Sequence, residues 1–263
     1  MSLSDAMNVA VSGLLAEEAR LQKSASNLAR SSEAAGKKEF IVITDRSYRD
    51  IVLAGTPTSQ SGTVSPTGYQ IGTGVQIVGN YLSFEQGERI QTGRSLDVYI
   101  DGNGFFEVTL PDGTLGYTRV GNLQTDNAGR LVMPGTGYPL NPNITFSTNM
   151  QDITINNVGE VYADVSGTPT LVGQIQTATF LNPSGLRRLG NGLFATTTSS
   201  GTANLSTPGS SINGPLVQGA YEGSNIQAVD EIVEMVAIEK SYNALTKVIK
   251  TTDECWKSVT QGV

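Results

Sequence analysis

The sequence contains no histidine and a single cysteine, Cys255. Histidine is the commonest general base near neutral pH and a frequent zinc ligand, so its absence argues against serine–histidine hydrolysis and most catalytic zinc sites. A single cysteine cannot form a disulfide within the chain. We predict that Cys255, which lies among small residues, is a packed apolar group.

Positive charge and long apolar runs are also scarce. The chain has 17 Lys and Arg against 24 Asp and Glu, for a net charge of −7. Nucleic-acid binding normally requires a basic face, so we expect no nucleic-acid partner. No run approaches the roughly 18 apolar residues of a membrane-spanning helix, so we expect no transmembrane segment. The first residues lack a basic segment followed by an apolar core, and we therefore expect no ordinary secretory signal.

The middle of the chain is rich in Ser, Thr, Asn and Gly, which is typical of many short strands joined by turns. Asp-Gly and Asn-Gly pairs supply the positive φ angles that tight hairpins require, so we predict an all-β region of hairpins with turns at residues 101–104, 111–113, 126–129 and 156–159. We also predict a strand over residues 171–181 and a turn or short helix over residues 183–190. Asp101, Asp112 and Asp126 could instead be carboxylates of a glycoside hydrolase or calcium ligands. Each lies beside the Gly or Asn of a turn, and we therefore favour a turn-capping role.

The C-terminal residues follow the spacing of a helix that packs along one side. Larger side chains recur at alternating intervals of three and four residues, and we call them the large seam: Met235, Ile238, Tyr242, Leu245, Ile249, Thr252, Trp256 and Val259. Beside them lies a small seam of Ala237, Ser241, Ala244, Val248, Thr251 and Cys255. Small residues let another backbone approach closely, so this helix is expected to contact more than one neighbour. A helix over residues 225–261 would be roughly 55 Å long, longer than a small domain needs.

The first thirty residues keep the same rhythm, which predicts a helix at the start of the chain. The predicted fold is mixed α and β: long N- and C-terminal helices form a coiled-coil-like pair, with an inserted all-β domain of short hairpins and an extended linker segment. The predicted boundaries are 1–35 and 224–263 for the helices, 36–70 for the linker and 71–223 for the β domain. The candidate subunit-interface residues are Leu3, Met7, Val11, Leu14, Leu21, Leu28, Met235, Ile238, Tyr242, Leu245, Ile249, Trp256 and Val259.

Residues 54–69 contain almost nothing to bury, so composition predicts an extended, irregular segment or a flexible loop. We treat residues 48–69 as a spacer; its candidate functional residues are Tyr48, Pro57, Pro66 and Tyr69. Gly72 and Gly74 match part of a dinucleotide-binding loop. The third glycine of that motif is absent, so we do not predict a nucleotide site.

Three stretches resemble the axial proteins of the bacterial flagellum, the rod and hook family. They are residues 69–75 (Tyr-Gln-Ile-Gly-Thr-Gly-Val), residues 96–119 from Leu-Asp-Val-Tyr-Ile-Asp-Gly-Asn-Gly to Tyr-Thr-Arg, and residues 222–242 beginning Glu-Gly-Ser-Asn. The family usually closes its first helix with an asparagine-rich run and then Thr-x-Gly-aromatic-Lys. Of that pattern this chain keeps only Asn27-Leu28-Ala29; Arg30 replaces an expected asparagine, and Gly36 is followed directly by Lys37.

The resemblance implies a structural, non-enzymatic protein without cofactors. Its copies would stack helically into a hollow shaft across the periplasm, with the terminal helices lining the tube and the β domain forming the outer wall. Implied partners are copies of itself, proximal rod proteins, hook and ring proteins, and the type III export apparatus. Chain length, the single middle domain and the spacer are most similar to the members that form the rigid distal rod. Alternatives are another rod or hook subunit and, from a different class, a secreted β-rich carbohydrate-binding or hydrolytic protein.

Overall fold

The structure is a computed structural model that describes residues 3–56, 64–147, 150–210 and 212–261. Helix α1 (Leu3–Ala29) opens the described chain and helix α2 (Ala228–Gln261) closes it. This confirms the predicted mixed α and β fold with a helix at each end. Neither helix, over its described residues, is both long and apolar enough to span a membrane.

Short strands fill the region between the two helices. They are β1 (Glu39–Asp45), β2 (Arg49–Val52), β3 (Tyr69–Ile71), β4 (Val75–Leu82), β5 (Arg89–Gln91), β6 (Val98–Ile100), β7 (Phe105–Thr109), β8 (Leu115–Thr118), β9 (Gln124–Thr125), β10 (Leu131–Val132), β11 (Leu140–Asn141), β12 (Met150–Ile155), β13 (Glu160–Val165), β14 (Thr168–Gln174), β15 (Thr177–Thr179), β16 (Arg187–Gly190), β17 (Leu193–Ala195), β18 (Asn204–Ser206), β19 (Leu216–Gln218) and β20 (Ala220–Glu222).

The chain forms two compact units. The helical unit comprises Met1–Leu28, Glu39–Tyr81 and Ala228–Val263, and the β unit comprises Ala29–Lys38 and Leu82–Gln227. In the helical unit β1 pairs with β4 and β2 pairs antiparallel with β3. The acidic residues Asp230 and Glu231 occupy the first turn of α2, where a carboxylate interacts favourably with the helix dipole.

The β unit is organised around a seven-stranded sheet. Its strand order is β16-β17-β8-β7-β15-β18, and β11 also pairs with β7. The main core is apolar and contains fully buried Phe106, Leu123, Leu131 and Leu216. A smaller, second cluster is aromatic, and in it Phe105 contacts Phe84, Phe180 and Phe194 edge-on.

Several predicted hairpins are confirmed, and one is wrong. The turn at residues 111–113 joins paired β7 and β8, and the turn at residues 156–159 joins paired β12 and β13. In contrast, β6 pairs not with β7 across residues 101–104 but with β19, more than a hundred residues later. All three β6 side chains are buried, and such a strand needs a partner and cover that its neighbours in sequence do not supply.

Residues 171–181, predicted as one strand, contain parts of two. Strand β14 belongs to the three-stranded β12-β13-β14 sheet, whereas β15 lies in the seven-stranded sheet. For residues 183–190 the sequence predicts either a turn or a short helix. They form a 3₁₀ turn, Pro183–Gly185, followed by β16.

The described part of the spacer is an antiparallel ribbon rather than an irregular loop. Asp50 lies opposite Gln70 in the β2–β3 pair. The pairing continues beyond those strands, because the N–H of Gly55 donates to the carbonyl of Ser65 (2.9 Å) and the N–H of Ser65 donates to the carbonyl of Thr56 (2.9 Å). Pro57 lies outside the described residues. Composition missed the ribbon because backbone pairing does not require apolar side chains.

Candidate functional site

The two terminal helices contact each other within the helical unit. Leu245 of α2 lies against Gly13 of α1, since a Cβ atom added to Gly13 would be 3.2 Å from the Leu245 Cδ1 atom. Nearer the other end of α1, Lys23 Nζ lies 2.9 Å from Glu234 Oε1. Residue numbers rise along α1 as they fall along α2, so the helices run antiparallel.

A buried polar cluster joins the end of α1 to the start of α2. Glu231 is fully buried, and its Oε2 atom accepts hydrogen bonds from Ser24 Oγ (2.8 Å) and Asn27 Nδ2 (3.4 Å). Asn27 also binds the backbone of Glu39, donating to its carbonyl and accepting from its N–H, each at 3.0 Å. One asparagine therefore connects α1, α2 and the start of β1.

The candidate interface residues of α2 differ widely in exposure. Ile238 is 1% exposed, whereas Tyr242 is 43%, Trp256 48% and Val259 62% exposed. Met235, Leu245 and Ile249 are half-buried. The large seam is thus covered at Ile238 and Thr252 and open at Tyr242, Trp256 and Val259.

The candidate interface residues of α1 divide in a similar way. Val11 and Leu21 are exposed, and Met7, Leu14 and Leu28 are half-buried. Leu3 begins α1. The exposed members leave apolar surface uncovered on α1 as well.

The small seam of α2 faces solvent. Ala237, Ala244, Val248, Thr251 and Cys255 are exposed, and Ser241 is half-buried. The prediction that Cys255 is packed is therefore wrong for the single chain. Cys255 lies six residues before the end of α2, on an exposed side of the helix.

The spacer ribbon carries exposed aromatic side chains at its base. Tyr48 is 54% and Tyr69 is 49% exposed, and Pro66 is also exposed. The Tyr48 ring lies over Gly72, where an added Cβ would be 3.4 Å from Tyr48 Cε1. The spacer base is held in place, but most of its side-chain surface contacts nothing in the described chain.

Gly74 packs directly against α1. Its φ is +107°, and an added Cβ would be 2.1 Å from the Ser12 Oγ atom. Ser12 Oγ donates to the carbonyl of Val9 (2.7 Å) and accepts from the N–H of Val75 (3.2 Å). Of the two glycines that match part of a dinucleotide-binding loop, Gly72 therefore packs against the ring of Tyr48 and Gly74 packs against helix α1.

A buried ion cluster lies in the β unit. Glu222 accepts from Lys37 Nζ at 2.6 Å and from Arg119 Nε at 2.7 Å, and all three side chains are at most 4% exposed. The N–H of Gly87 also donates to Glu222 (2.8 Å). Lys37 and Arg119 in turn donate to the carbonyls of Glu85 and Gly102, each at 2.7 Å. The carboxylate thus has three donors, and each cation has a second acceptor.

The cluster joins the two segments of the β unit that lead to the terminal helices. Lys37 follows α1 and Glu222 precedes α2. The segments also bind each other through the N–H of Ala35 and the Glu222 carbonyl (2.8 Å), and through the N–H of Lys38 and Asn225 Oδ1 (2.7 Å). The ion cluster therefore fixes where both segments leave the β unit.

The two charge types in this cluster titrate differently. Burial by itself would raise the pKa of Glu222, but Arg119 and Lys37 outweigh it and hold that pKa below its ordinary value. Burial lowers the pKa of Lys37, and the Glu222 carboxylate offsets part of that effect. A carboxylate with two adjacent cations remains ionised near neutral pH.

The sequence contained a signal for these residues, although periodicity did not reveal their roles. Acidic residues are expected near the start of a helix, but Glu222 precedes α2 by six residues, and both Glu222 and Glu231 are buried. Arg119 and Glu222 lie in stretches that carry the family resemblance, and Asn27 lies in the part of the first-helix ending that this chain keeps. Their place in these stretches was the signal in the sequence that could have identified them. The partner of each residue could not be predicted from the sequence.

The candidate carboxylates of the hairpins act as turn caps. Asp112 Oδ1 accepts from the N–H and the hydroxyl of Thr114, at 2.9 and 2.6 Å, and these bonds lower the pKa of Asp112. Asp126 accepts from the N–H groups of Ala128 (2.9 Å) and Arg130 (2.8 Å). These bonds confirm the predicted turn role for both residues.

Two family models match the chain. The model described as the flagellar hook protein FlgE/F/G D1 domain matches residues 99–163. The model described as the flagellar basal body rod FlgEFG protein C-terminal matches residues 217–262. The first covers Arg119 of the ion cluster, and the second covers Glu222 and all of α2.

Relatives with high coverage are rod proteins. The chain is 37% identical over 258 residues to the flagellar basal-body rod protein FlgG of Caulobacter vibrioides, covering 97% of this chain and 98% of that protein. It is 34% identical to FlgG of Bacillus subtilis, with 93% of each chain covered. The flagellar hook protein FlgE of Escherichia coli is 39% identical over 101 residues, which cover 38% of this chain and 25% of that protein.

Proposed function

The chain belongs to the FlgG family of flagellar basal-body rod proteins, and we propose that its copies stack helically into the rigid, hollow distal rod. As a member of this family it is a structural subunit of the rod and is located in the flagellar basal body. The rod would transmit torque from motor to hook, and its lumen would carry the export channel.

One observation carries the proposal: α2 has two seams, of which the large seam is covered over part of its length and the small seam is largely exposed. Ile238 is buried and Leu245 contacts Gly13 of α1, which supports a coiled-coil-like pair within the subunit. Apart from half-buried Ser241, the small seam is exposed over about five turns, including Ala244 and Val248. Exposed apolar surface of this extent is typical of a contact site, and a contact that does not close on itself builds a filament.

Different segments of the chain would serve subunit assembly and the outer wall of the tube. Residues 1–35 and 224–263 would form the inner tube, and residues 71–223 would form the outer β wall inserted between them. The linker, residues 36–70, contains the spacer, which would lie between neighbouring subunits and stop them sliding. The exposure of Tyr48 and Tyr69 supports that role, because their rings are available to other copies.

The remaining partners follow from the position of a rod in the flagellum. We propose that the subunit meets proximal rod and hook proteins at the ends of the polymer, ring proteins around it, and the type III export apparatus during delivery. We further propose that it is not an enzyme. The turn-capping bonds of Asp112 and Asp126 support this, since they occupy carboxylates that catalysis would need free.

Polymerisation of the purified full chain tests the proposal. Wild-type protein should form straight tubes in electron micrographs, and the emission of Trp256, which is 48% exposed, should shift to shorter wavelength as the tubes form. Val248→Asp should remain folded but form no tubes, because it places a charge on the small seam.

Asn243→Asp provides the matched control for that variant. It adds the same charge to an exposed position of α2 outside both seams, so it should polymerise normally. Normal tubes from Val248→Asp would show that the small seam is not an interface. Absence of tubes from the wild-type chain would contradict the proposed function itself.

A further inference from the structure

A groove follows the N-terminal half of α1 in the helical unit. Its volume is about 370 Å³, and residues 71–73 at the end of β3 form its opposite wall. Its apolar lining includes Val9, Val11 and Leu15, which are 38%, 41% and 57% exposed. The α2 helix of the same chain does not fill the groove, because it contacts α1 on another side, at Gly13 and Ser24.

Among the described residues, the rim of this α1 groove carries one uncompensated positive charge. Arg49 Nη2 lies 3.1 Å from Asp5 Oδ2, so these two side chains neutralise each other. The backbone N–H of Arg46 donates to the carbonyl of Gly74 (2.8 Å), which holds Arg46 at the groove. Its guanidinium makes no ion pair with any residue that the structure describes.

A complementary surface lies at the start of α2, and we call it the α2 stripe. Its members are Val229, Ile232, Val233 and Val236, which are 72%, 50%, 64% and 46% exposed. Their spacing of three and four residues places them on one side of the helix, opposite the buried Glu231. Asp230 borders the stripe beside Val229 and Val233; it is exposed and has no ion pair among the described residues.

We propose that the α1 groove binds the α2 stripe of a second copy of this chain, with Asp230 of that copy pairing with Arg46. The inference rests on the proposed polymer and names one of its contacts. A helix cannot turn its stripe into the groove of its own chain, because Glu231 on the reverse side is bound to Ser24 and Asn27 of α1.

Both surfaces belong to the same chain but to different elements. When the contact is not reciprocated between the same two copies it is head-to-tail, so each added copy leaves one free groove and one free stripe, as the proposed polymer requires. The apolar side chains of the α2 stripe are complementary to the apolar lining of the groove, and the negative charge of Asp230 is complementary to the positive charge of Arg46. Charge complementarity of this kind sets the register of a contact between apolar surfaces.

Charge exchange in the full-length chain tests this contact. Arg46→Asp and Asp230→Arg each place like charges together, so each should raise the critical concentration for polymerisation about tenfold. The double variant restores the pair with reversed polarity and should return to within about threefold of wild type. Sedimentation of polymer measures the critical concentration, and circular dichroism checks that each variant is folded.

Glu239→Arg is the matched control, because Glu239 is an exposed acid on the other border of the same stripe. Combined with Arg46→Asp it should stay impaired. Rescue by this combination, no rescue by the intended double variant, or normal assembly of both single variants would each overturn the pairing. If these results occur while the wild-type chain still forms tubes, the rod proposal stands and this contact is wrong. A wild-type chain that forms no tubes overturns both.

Discussion

Glu222 holds two cations and a backbone N–H in the interior of the β unit. We predict that Glu222→Gln lowers the free energy of unfolding by roughly 3–5 kcal/mol, because it leaves Lys37 and Arg119 buried without a counter-charge. Urea unfolding followed by circular dichroism measures the change. Glu88→Gln is the control, since Glu88 is an exposed acid near the same loop and its loss should change the free energy little.

The effect of Glu222→Gln should depend on pH in a defined direction. The pKa of Glu222 is lowered in the folded chain, so its contribution to stability is complete above the unfolded carboxyl pKa, roughly 4.3. That contribution is lost as the pH falls through the lower folded pKa. Wild type and variant should therefore differ at pH 7 and converge in strong acid. A difference that stays constant with pH would show that the charge of Glu222 is not its stabilising feature.

Gly74 offers a second test at a single residue. Gly74→Ala combines a positive φ with a Cβ 2.1 Å from Ser12 Oγ, so it should destabilise the helical unit by about 1–3 kcal/mol. Gly79→Ala is the control, because Gly79 lies in β4, the strand that follows Gly74, and a Cβ there meets nothing within 4 Å. Hydrogen exchange of the α1 and β4 amides would report the loss. Equal protection in the two variants would contradict the packing role of Gly74.

Among the elements, both helices could be predicted because their pattern is local. Residues three and four apart on one helix share a side whatever the rest of the chain does. The hairpin of β7 and β8 was predictable for the same reason, since its turn residues lie between its strands. The pairing of β6 with β19 and the ion cluster were not, because their partners are separated by many residues. Periodicity identifies a surface, but it does not identify what covers that surface.

Leu245 distinguishes contact within a subunit from contact between subunits. We predict that Leu245→Asp separates α2 from α1, because the charge would face Gly13 and the apolar side of α1. The amides of both helices should then lose protection from hydrogen exchange in the free chain, while the β-unit amides keep theirs, and polymerisation should fail. Asn243→Asp should show neither loss. Intact helix protection in Leu245→Asp would mean that the side chain serves only a neighbouring copy.

For the whole molecule, the two compact units suggest that folding and assembly are served by different parts of the chain. The interior of the β unit is closed by apolar packing and the Glu222 cluster. The helical unit leaves apolar surface open on α1, on α2 and on the spacer ribbon. Sequence periodicity located the helices that carry much of this surface. It could not divide their residues into covered and open ones, since that depends on the tertiary contacts of each side chain.

The spacer ribbon permits a deletion that preserves the local fold. Val52 lies opposite Tyr69, so removing residues 55–68 leaves Leu53 and Ala54 as a two-residue loop between paired strands. Replacing these two residues by Asn-Gly provides the turn that such a hairpin favours. This variant retains β2, β3 and the packing of Tyr48 on Gly72 but lacks most of the spacer. A chain with only the Asn-Gly substitution controls for the changed residues.

We predict that the deletion variant folds and polymerises but builds a more flexible, curved tube. A shaft that turns inside a fixed ring must resist bending, and the spacer would provide that resistance by contacting neighbouring copies. Pro66 suits this role because its fixed φ reduces the entropy lost when the segment docks. Persistence length measured from electron micrographs decides the outcome. If deletion and control tubes are equally straight and stiff, the spacer is only a connection and the stiffness of the polymer comes from the terminal helices.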